Sequence, residues 1–255
     1  MGNDFSTAQL AQISGFEVLE YESTQNLGSA GGITVDLTKL TGVNTLKVDT
    51  GTVTVASSNT LIVKALDGFT LKTGTVTGGA AYFDVQVANA LAGGTNNTVN
   101  AVFANATSSG YTNAGFQIKG VENLNISVAG DESASGDVIT LSNITGTALQ
   151  SIKVTSTNTT ANTVSDSLTV TDVESTIINN FDASAFTGAL NISGLSDNYM
   201  TAGATIKGGT GADAINISGG SNTITGGAGV DTVSLTAGTT TFTGGTGADK
   251  ITMSG

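Results

Sequence analysis

The chain has 255 residues, with 20 acidic side chains against 8 basic ones and a formal net charge of −12. It contains no His, Cys or Pro, and all of its basic residues are lysines. These absences exclude zinc sites with Cys or His ligands, thiol nucleophiles, disulfides and His-based triads. An acidic chain without arginine is also poorly suited to nucleic acid. Hard divalent cations, which prefer oxygen ligands, stay compatible with this composition.

Alternating apolar and polar residues predict β-strands along most of the chain. A short helix over 6–13 is compatible with the first residues. After it, the clearest period-2 segments are 52–55, 60–64, 137–141 and 168–171. Gly, Asn, Ser and Asp separate them, as turns require. No apolar run is long enough for a transmembrane helix, and no N-terminal secretion signal is visible. The pattern is typical of an ordered all-β protein.

A long internal repeat relates the first half of the chain to the second. The segment 13–19 resembles 118–124, and 37–42 resembles 141–146. Each copy continues into a strand with a central Lys. We interpret the two copies as a duplicated module.

A second repeat is short and strict. The sequences GGTGADAI, GGAGVDTV and GGTGADKI begin at Gly208, Gly226 and Gly244, at a constant spacing. They fit the nonapeptide G-G-x-G-x-D-x-U-x, where U is a large apolar residue, and their spacing is the length of two such units. The positions halfway between them are degenerate, with Asn222 and Thr240 in place of Asp. The competing interpretation is a series of glycine-rich turns with solvated aspartates.

This nonapeptide has the chemistry of a calcium site. Its glycines allow backbone angles that turn carbonyl groups toward an ion, and its Asp supplies a carboxylate. Two nonapeptides form one coil of a parallel β-roll, so alternate nonapeptide loops stack on one edge. We expect Ca²⁺ between 208–213 and 226–231 and between 226–231 and 244–249, and little or no binding on the opposite edge. The predicted site residues are Gly208, Gly209, Thr210, Gly211, Asp213, Gly226, Gly227, Ala228, Gly229, Asp231, Gly244, Gly245, Thr246, Gly247 and Asp249.

Acidic residues elsewhere are weaker candidates. Asp137, Asp182 and Asp197 lie beside turn residues and are better explained as Asx turns than as ligands. The pair Asp131 and Glu132 is the best candidate outside the nonapeptides.

The nonapeptides resemble those of the RTX family. Together with the segment 181–188 and the strands that start at Gly15 and Gly120, they make the chain similar to the C-terminal β-solenoid of RTX-type S-layer proteins of Gram-negative bacteria. The resemblance implies an extracellular cell-surface protein, exported by a type I system, that assembles into a two-dimensional array when calcium binds. It implies calcium ions and copies of itself as partners, and cell-surface polysaccharide through regions outside this chain. The third loop lacks a stacking partner near position 262, so we expect a fragment.

These observations predict a parallel β-solenoid that ends in a β-roll loaded with calcium on one side. We expect a structural protein and not an enzyme; the alternatives are an RTX adhesin stalk or a calcium-binding accessory module of a secreted enzyme. Glu17, Glu20 and Glu22 crowd one segment, and we interpret them as a solvated strand face rather than as paired catalytic carboxylates. Whether the two modules share one solenoid or form separate sandwiches stays open. The predicted organisation is an N-terminal cap or added segment (1–12), two solenoid modules (13–117 and 118–205) and the roll (206–255).

Overall fold

The computed structural model describes most of the chain. The described residues are 16–21, 33–40, 42–48, 60–73, 81–87, 96–104, 111–129, 138–157, 166–175, 177–196 and 200–254. The helix expected over 6–13 and the strand expected over 52–55 lie outside these residues. The same holds for Glu22, Asp131, Glu132, Asp137 and Asp197.

Regular structure in the described residues is almost entirely β-strand. The one exception there is a 3-10 turn, Leu37–Lys39, in which the Thr38 N–H donates to the Asp36 carboxylate at 3.1 Å. No helix among the described residues is long and apolar enough to cross a membrane. The strands, in chain order, are β1 (Val18–Tyr21), β2 (Ile33–Asp36), β3 (Thr45–Val48), β4 (Thr60–Ala65), β5 (Phe69–Thr73), β6 (Ala81–Val87), β7 (Thr98–Ala104), β8 (Tyr111–Lys119), β9 (Asn123–Ala129), β10 (Val138–Leu141), β11 (Ile144–Thr145), β12 (Ser151–Ser156), β13 (Ser167–Val170), β14 (Val173–Glu174), β15 (Ile178–Ala185), β16 (Ala189–Ser196), β17 (Met200–Lys207), β18 (Ala214–Ser218), β19 (Ser221–Ala228), β20 (Thr232–Leu235), β21 (Thr239–Thr246) and β22 (Lys250–Met253).

The strands form two long parallel sheets, because the chain visits each sheet once per turn. Sheet A has the order β1-β3-β5-β7-β9-β12-β15-β17-β19-β21, and sheet B has the order β2-β4-β6-β8-β10-β13-β16-β18-β20-β22. The two short strands β11 and β14 pair with each other, and β11 also pairs with β8. One strand of each sheet therefore makes up one coil. The predicted parallel β-solenoid is confirmed.

The coils become shorter along the chain. In the first half, Leu46 stacks on Leu71, and Leu71 stacks on Ala101. In the last coils the step is much smaller, since Ser221 stacks on Thr239 and Thr232 stacks on Lys250. We call the coils up to β16 the wide coils and those from β17 onward the narrow coils. The step between the last narrow coils equals two nonapeptides, which is the period of the sequence repeat.

The core is a single apolar column between the two sheets. Side chains alternate between buried and partly exposed along the strands, as in β9, because successive residues point to opposite faces. In the wide coils the column contains aromatic clusters: the Phe116 ring lies 6.3 Å from that of Phe83 and 6.2 Å from that of Phe103. In the described narrow coils its fully buried members are aliphatic, such as Ile215, and the Phe242 ring packs against them only partly buried.

The two sheets run through all the sequence modules. Position 117 lies within β8 and position 205 within β17, so the two modules share one solenoid and do not form separate sandwiches. The strands of the similar segments are four coils apart, as with β1 and β9 in sheet A and β2 and β10 in sheet B. The module boundaries themselves stay sequence predictions.

Candidate metal centre

The three nonapeptides stack on one edge of the narrow coils. Each loop leaves a strand of sheet A and enters the next strand of sheet B. Gly227 pairs with Gly245 in sheet A, and Thr232 pairs with Lys250 in sheet B, so the loops superpose residue for residue. This stacking brings all fifteen predicted site residues together in one column.

The glycines are required by close contact between successive loops. Gly227 has a φ of 115°, in the left-handed region that other residues rarely adopt. A Cβ on Gly227 would collide with the carbonyl oxygen of Gly209, one coil below. The same collision would occur between Gly245 and the carbonyl oxygen of Gly227. The loops can therefore approach each other only if these positions lack side chains.

The three aspartates form a hydrogen-bonded ladder. In each, Oδ1 accepts a hydrogen bond from a backbone N–H one coil below: Asp213 from Leu190 at 2.9 Å, Asp231 from Asp213 at 2.9 Å, and Asp249 from Asp231 at 3.1 Å. Asp213 and Asp231 are buried, with relative exposures of 2% and 0%. The carboxylates thus replace the sheet hydrogen bonds that the loops interrupt.

The second carboxylate oxygens are less well satisfied. Oδ2 of Asp213 accepts a hydrogen bond from the Gly209 N–H at 2.7 Å. Oδ2 of Asp231 is buried and has no hydrogen-bond partner among the described residues. A buried oxygen of this kind carries a desolvation cost, and the cost is larger when the group is charged.

Burial and mutual repulsion disfavour the charged forms of these carboxyl groups. Burial raises the pKa of Asp213 to about 6; the hydrogen bonds from Leu190 and Gly209 oppose this rise, and the Asp231 carboxylate adds to it. Burial also raises the pKa of Asp231, against the hydrogen bond from Asp213, and the Asp249 carboxylate adds to the rise. Both effects are those expected of like charges stacked in a poorly solvated ladder.

Oxygen atoms from two successive loops converge beside the first glycine of each nonapeptide. A Cβ on Gly226 would lie against Oδ2 of Asp231 and 2.5 Å from the carbonyl oxygen of Gly244. A Cβ on Gly208 would meet Oδ2 of Asp213 and the carbonyl oxygen of Gly226. Because both oxygens face the space that a side chain would fill, they fit a hard cation that prefers oxygen ligands.

Side-chain ligands alone do not make a complete site. No three His, Cys, Asp or Glu side chains come together as a ligand group in the described part of the chain. Thr210 and Thr246 are exposed and Ala228 is half-buried, so we assign these three positions a backbone role. The Ala228 N–H, for example, donates to the Gly209 carbonyl at 3.0 Å. Carbonyl oxygens would have to supply most of the ligands that Ca²⁺ needs.

The ladder has a base that the sequence interpretation missed. The segment 185–190 lies directly beneath 208–213: the Thr210 N–H donates to the Phe186 carbonyl at 3.0 Å, and Leu190 lies below Asp213. Leu190 takes the place of Asp, and both Phe186 and Leu190 are buried. The shared tripeptide Thr-Gly-Ala, at 187–189 and 210–212, was the available signal. Its step is longer than two nonapeptides, so a search at the nonapeptide period does not find it.

The opposite edge of the narrow coils carries neutral oxygens instead of carboxylates. Asn222 stacks on Thr240, the two positions where Asp is replaced. The Asn222 side chain is 3% exposed, and its Nδ2 donates to the Gly219 carbonyl at 2.9 Å. Without a carboxylate at either position, this edge offers no charge to offset the dehydration of a divalent cation. One-sided calcium loading stays a prediction.

Other acidic candidates have local partners. At Asp182 the predicted Asx turn is confirmed, because its Oδ1 accepts from the Ser184 N–H at 3.0 Å. Glu20 pairs with Lys47 at 2.6 Å on the surface, and Glu17 is exposed. Both described Glu side chains of this segment are therefore exposed to solvent, and only Glu20 lies within β1.

Comparison with known proteins gives no relative: no protein-family model, no curated protein and no solved structure matches this chain.

Proposed function

We propose that this chain is a structural part of an extracellular surface protein, whose narrow coils fold when calcium binds and which then assembles into an S-layer lattice. The observation that carries the calcium part is the buried carboxylate ladder of Asp213, Asp231 and Asp249. Its central member, Asp231, has an oxygen that is fully buried and unpartnered among the described residues. None of the ion pairs in the described part of the chain includes a carboxylate of this ladder.

All three aspartates of the ladder have one task in this proposal, and two of them have a second. Through Oδ1, each Asp holds the backbone N–H of the coil below and so keeps the loops in register. Through Oδ2, Asp213 and Asp231 face the carbonyl oxygens of the next loop, and these oxygens together would hold Ca²⁺. Calcium supplies the positive charge that offsets the repulsion within the ladder. Binding free energy then becomes folding free energy of the narrow coils.

The wide coils need no such ion in this proposal. Their core is continuous and contains buried aromatic side chains, including Phe69 and Phe116. In a solenoid each coil contacts only its neighbours, so two parts of one chain can differ in stability. We therefore expect the wide coils to fold without calcium and the narrow coils to need it.

The proposed extracellular location of the chain follows from the calcium affinity expected for its sites. Calcium modules of extracellular proteins bind at roughly 10⁻⁴ to 10⁻³ M, so they stay empty in the cytosol and fill outside the cell. A chain with this property would order its narrow coils only after export. The lattice part of the proposal is supported by the resemblance of the nonapeptides and of the composition to S-layer proteins.

A calcium titration that follows secondary structure and particle size together tests the proposal. Far-ultraviolet circular dichroism and light scattering are recorded on metal-free protein as calcium is added. We expect a gain of β signal followed by an increase in scattering. The matched control replaces Asp213, Asp231 and Asp249 by Asn and should show neither change.

The other outcomes separate the alternatives. A gain of β signal at constant size would reject lattice assembly and support an adhesin stalk or an accessory module. No change in either signal would contradict the calcium sites themselves. The nonapeptides would then be ordinary glycine-rich turns.

A further inference from the structure

The outer face of sheet B has a recess that is separate from the carboxylate ladder. Its volume is about 410 Å³, within the range of small-molecule sites. It lies toward the end of β18, whereas the nonapeptide loops enter the start of that strand. Four successive coils contribute its lining: Asp172, Ser193, Leu195, Asn216, Ile217, Ser218, Ser234 and Thr236. We call this recess the sheet B groove.

A β-bulge lies at the position of the groove. In β16, Ile192 pairs with Ile215 and Leu195 with Ile217, so two residues of β16 face the single residue Asn216. A bulge bends its strand and turns side chains away from the regular pattern. It lies where the wide coils give way to the narrow ones. The groove is therefore a consequence of joining coils of two lengths.

The rim of the groove is built for hydrogen bonding. It combines four hydroxyl groups, one amide and one carboxyl group, and its described lining includes no basic and no aromatic side chain. Hydroxyl and amide groups can donate and accept, whereas the carboxylate accepts only. Leu195 and Ile217 also line the groove, but each is only 2% exposed, so the accessible surface of the groove comes mainly from polar residues. A ligand that matches this lining carries many hydroxyl groups.

Charge selects among such ligands. Asp172 lies at the rim, and its neighbour Glu174 is close enough to contribute, after burial, to a raised pKa of the Asp172 carboxyl. The described lining offers no positive charge in return, and the whole chain carries −12. Phosphate, sulfate and uronate groups would therefore be repelled. A neutral ligand meets no such barrier.

We propose that the sheet B groove binds a neutral saccharide, with the rim hydroxyls, the Asn216 amide and the Asp172 carboxylate as its hydrogen-bond partners. This inference rests on the proposed function only in that the narrow coils must be folded, because the lining residues lie outside the expected ligand segments 208–213 and 226–231. Neutral glycans that are free and those that are attached to a surface share this chemistry.

Nuclear magnetic resonance of the full chain in calcium-containing buffer, in the solid state where the chain assembles, tests the inference. Tetrasaccharides of glucose, mannose, galactose and N-acetylglucosamine are titrated to millimolar concentration, with tetragalacturonate as the anionic comparator. We expect at least one neutral tetrasaccharide to shift the amide signals of Ser193, Asn216 and Ser234. Asn216→Ala should weaken that binding about fivefold, as the loss of a hydrogen-bonding amide predicts.

Asn191→Ala is the matched control, because Asn191 is also an exposed Asn on the outer face of sheet B but lies outside the groove. It should leave the affinity unchanged. The inference is overturned if none of the neutral tetrasaccharides shifts these signals, if the two Asn variants behave alike, or if tetragalacturonate binds as well as the neutral sugars. Ser234→Ala provides a second groove variant should Asn216→Ala change the circular dichroism spectrum.

Discussion

The wide and the narrow coils share one topology but differ in what stabilises them. In the wide coils, buried aromatic rings such as Phe83, Phe103 and Phe116 fill the space between the sheets. In the described narrow coils the two sheets are joined by short glycine loops, and the buried core is aliphatic. There the buried groups include two carboxyl groups, Asp213 and Asp231.

This difference shows how coil length sets the source of stability. The longer steps of the wide coils leave room for large side chains between the sheets, and buried apolar area is favourable without any ion. The shorter step of the narrow coils brings fewer residues into each coil, and the Phe242 ring that packs against their core is only partly buried. Their remaining stabilisation must come from the loop edges, where the carboxylates hold the backbone N–H groups.

The largest expected effect is in the wide coils. Phe116→Ala should destabilise them by about 3–5 kcal/mol, because it removes a fully buried ring and leaves a cavity between Phe83 and Phe103. Thermal unfolding followed by circular dichroism measures the loss. It should be the same with and without calcium, and Phe116→Leu should lose less. A loss that appears only without calcium would contradict the division into two regions.

The next largest effect is expected in the narrow coils, where Asp231→Asn should change their stability in opposite directions with and without calcium. With calcium, Asp231→Asn should destabilise them by roughly 3 kcal/mol, because Oδ2 of Asp231 and the Gly244 carbonyl oxygen form one of the two oxygen pairs expected to hold the ion. Without calcium, the same substitution should stabilise them, because it removes a buried charge and keeps the acceptor for the Asp213 N–H. Hydrogen exchange of the amides in β18 and β20 reports on both states.

Asp249→Asn is the graded control for this comparison. Asp249 supplies no oxygen to the pairs beside Gly208 and Gly226, and it is less buried than Asp231. Asp249→Asn should therefore destabilise the narrow coils less than Asp231→Asn does with calcium, and stabilise them less without calcium. If Asp231→Asn changes the stability of the narrow coils in the same direction with and without calcium, a role for Asp231 as a calcium ligand is rejected.

The effect of pH on the stability of the metal-free protein should be somewhat smaller than the effect of Asp231→Asn. The pKa of Asp213 is raised from 3.8 to about 6 in the fold, so the folded state binds more protons than the unfolded state between these values. The stability of the narrow coils should be highest below pH 4 and should fall as pH rises through 6, on the order of 2–3 kcal/mol in total. Melting temperatures in metal-free buffer at several pH values measure this fall. Asp213→Asn should flatten it.

The smallest effect is expected at the surface of the wide coils. Glu20→Gln breaks the ion pair with Lys47, which lies at 2.6 Å with both side chains partly exposed. Such pairs contribute less than about 1 kcal/mol. The melting temperature should barely change, and calcium should not alter the result. A large loss would mean that surface charge, and not the apolar core, holds the first coils together.

The roll was the most predictable part of the molecule. The constant spacing of Gly208, Gly226 and Gly244 predicted loops that stack on one edge. If the repeat length equals the length of one coil, equivalent residues of successive repeats lie above one another. The alternation along 60–64 and 168–171 likewise matched strands β4 and β13. Such signals are local or periodic, and a sequence displays both directly.

Other features depended on which residues the coils bring into contact. Leu190 lies beneath Asp213 at a step that differs from the nonapeptide period, so no regular repeat reveals it. The bulge opposite Asn216, and with it the sheet B groove, arises only where a longer coil meets a shorter one. That Asp231 is buried while Asp249 is only partly so also depends on the coils stacked around each of them.

The sequence by itself determined the all-β class, the nonapeptide period and the chemical type of the candidate metal ligands, because composition and spacing contain that information. The tertiary structure decided that both modules form one solenoid, where the ladder has its base, and which carboxylate oxygen lacks a partner. These properties depend on the register between coils, which brings together residues as distant in the chain as Leu71 and Ala101. Register is set by the packing of the whole column and not by any one segment.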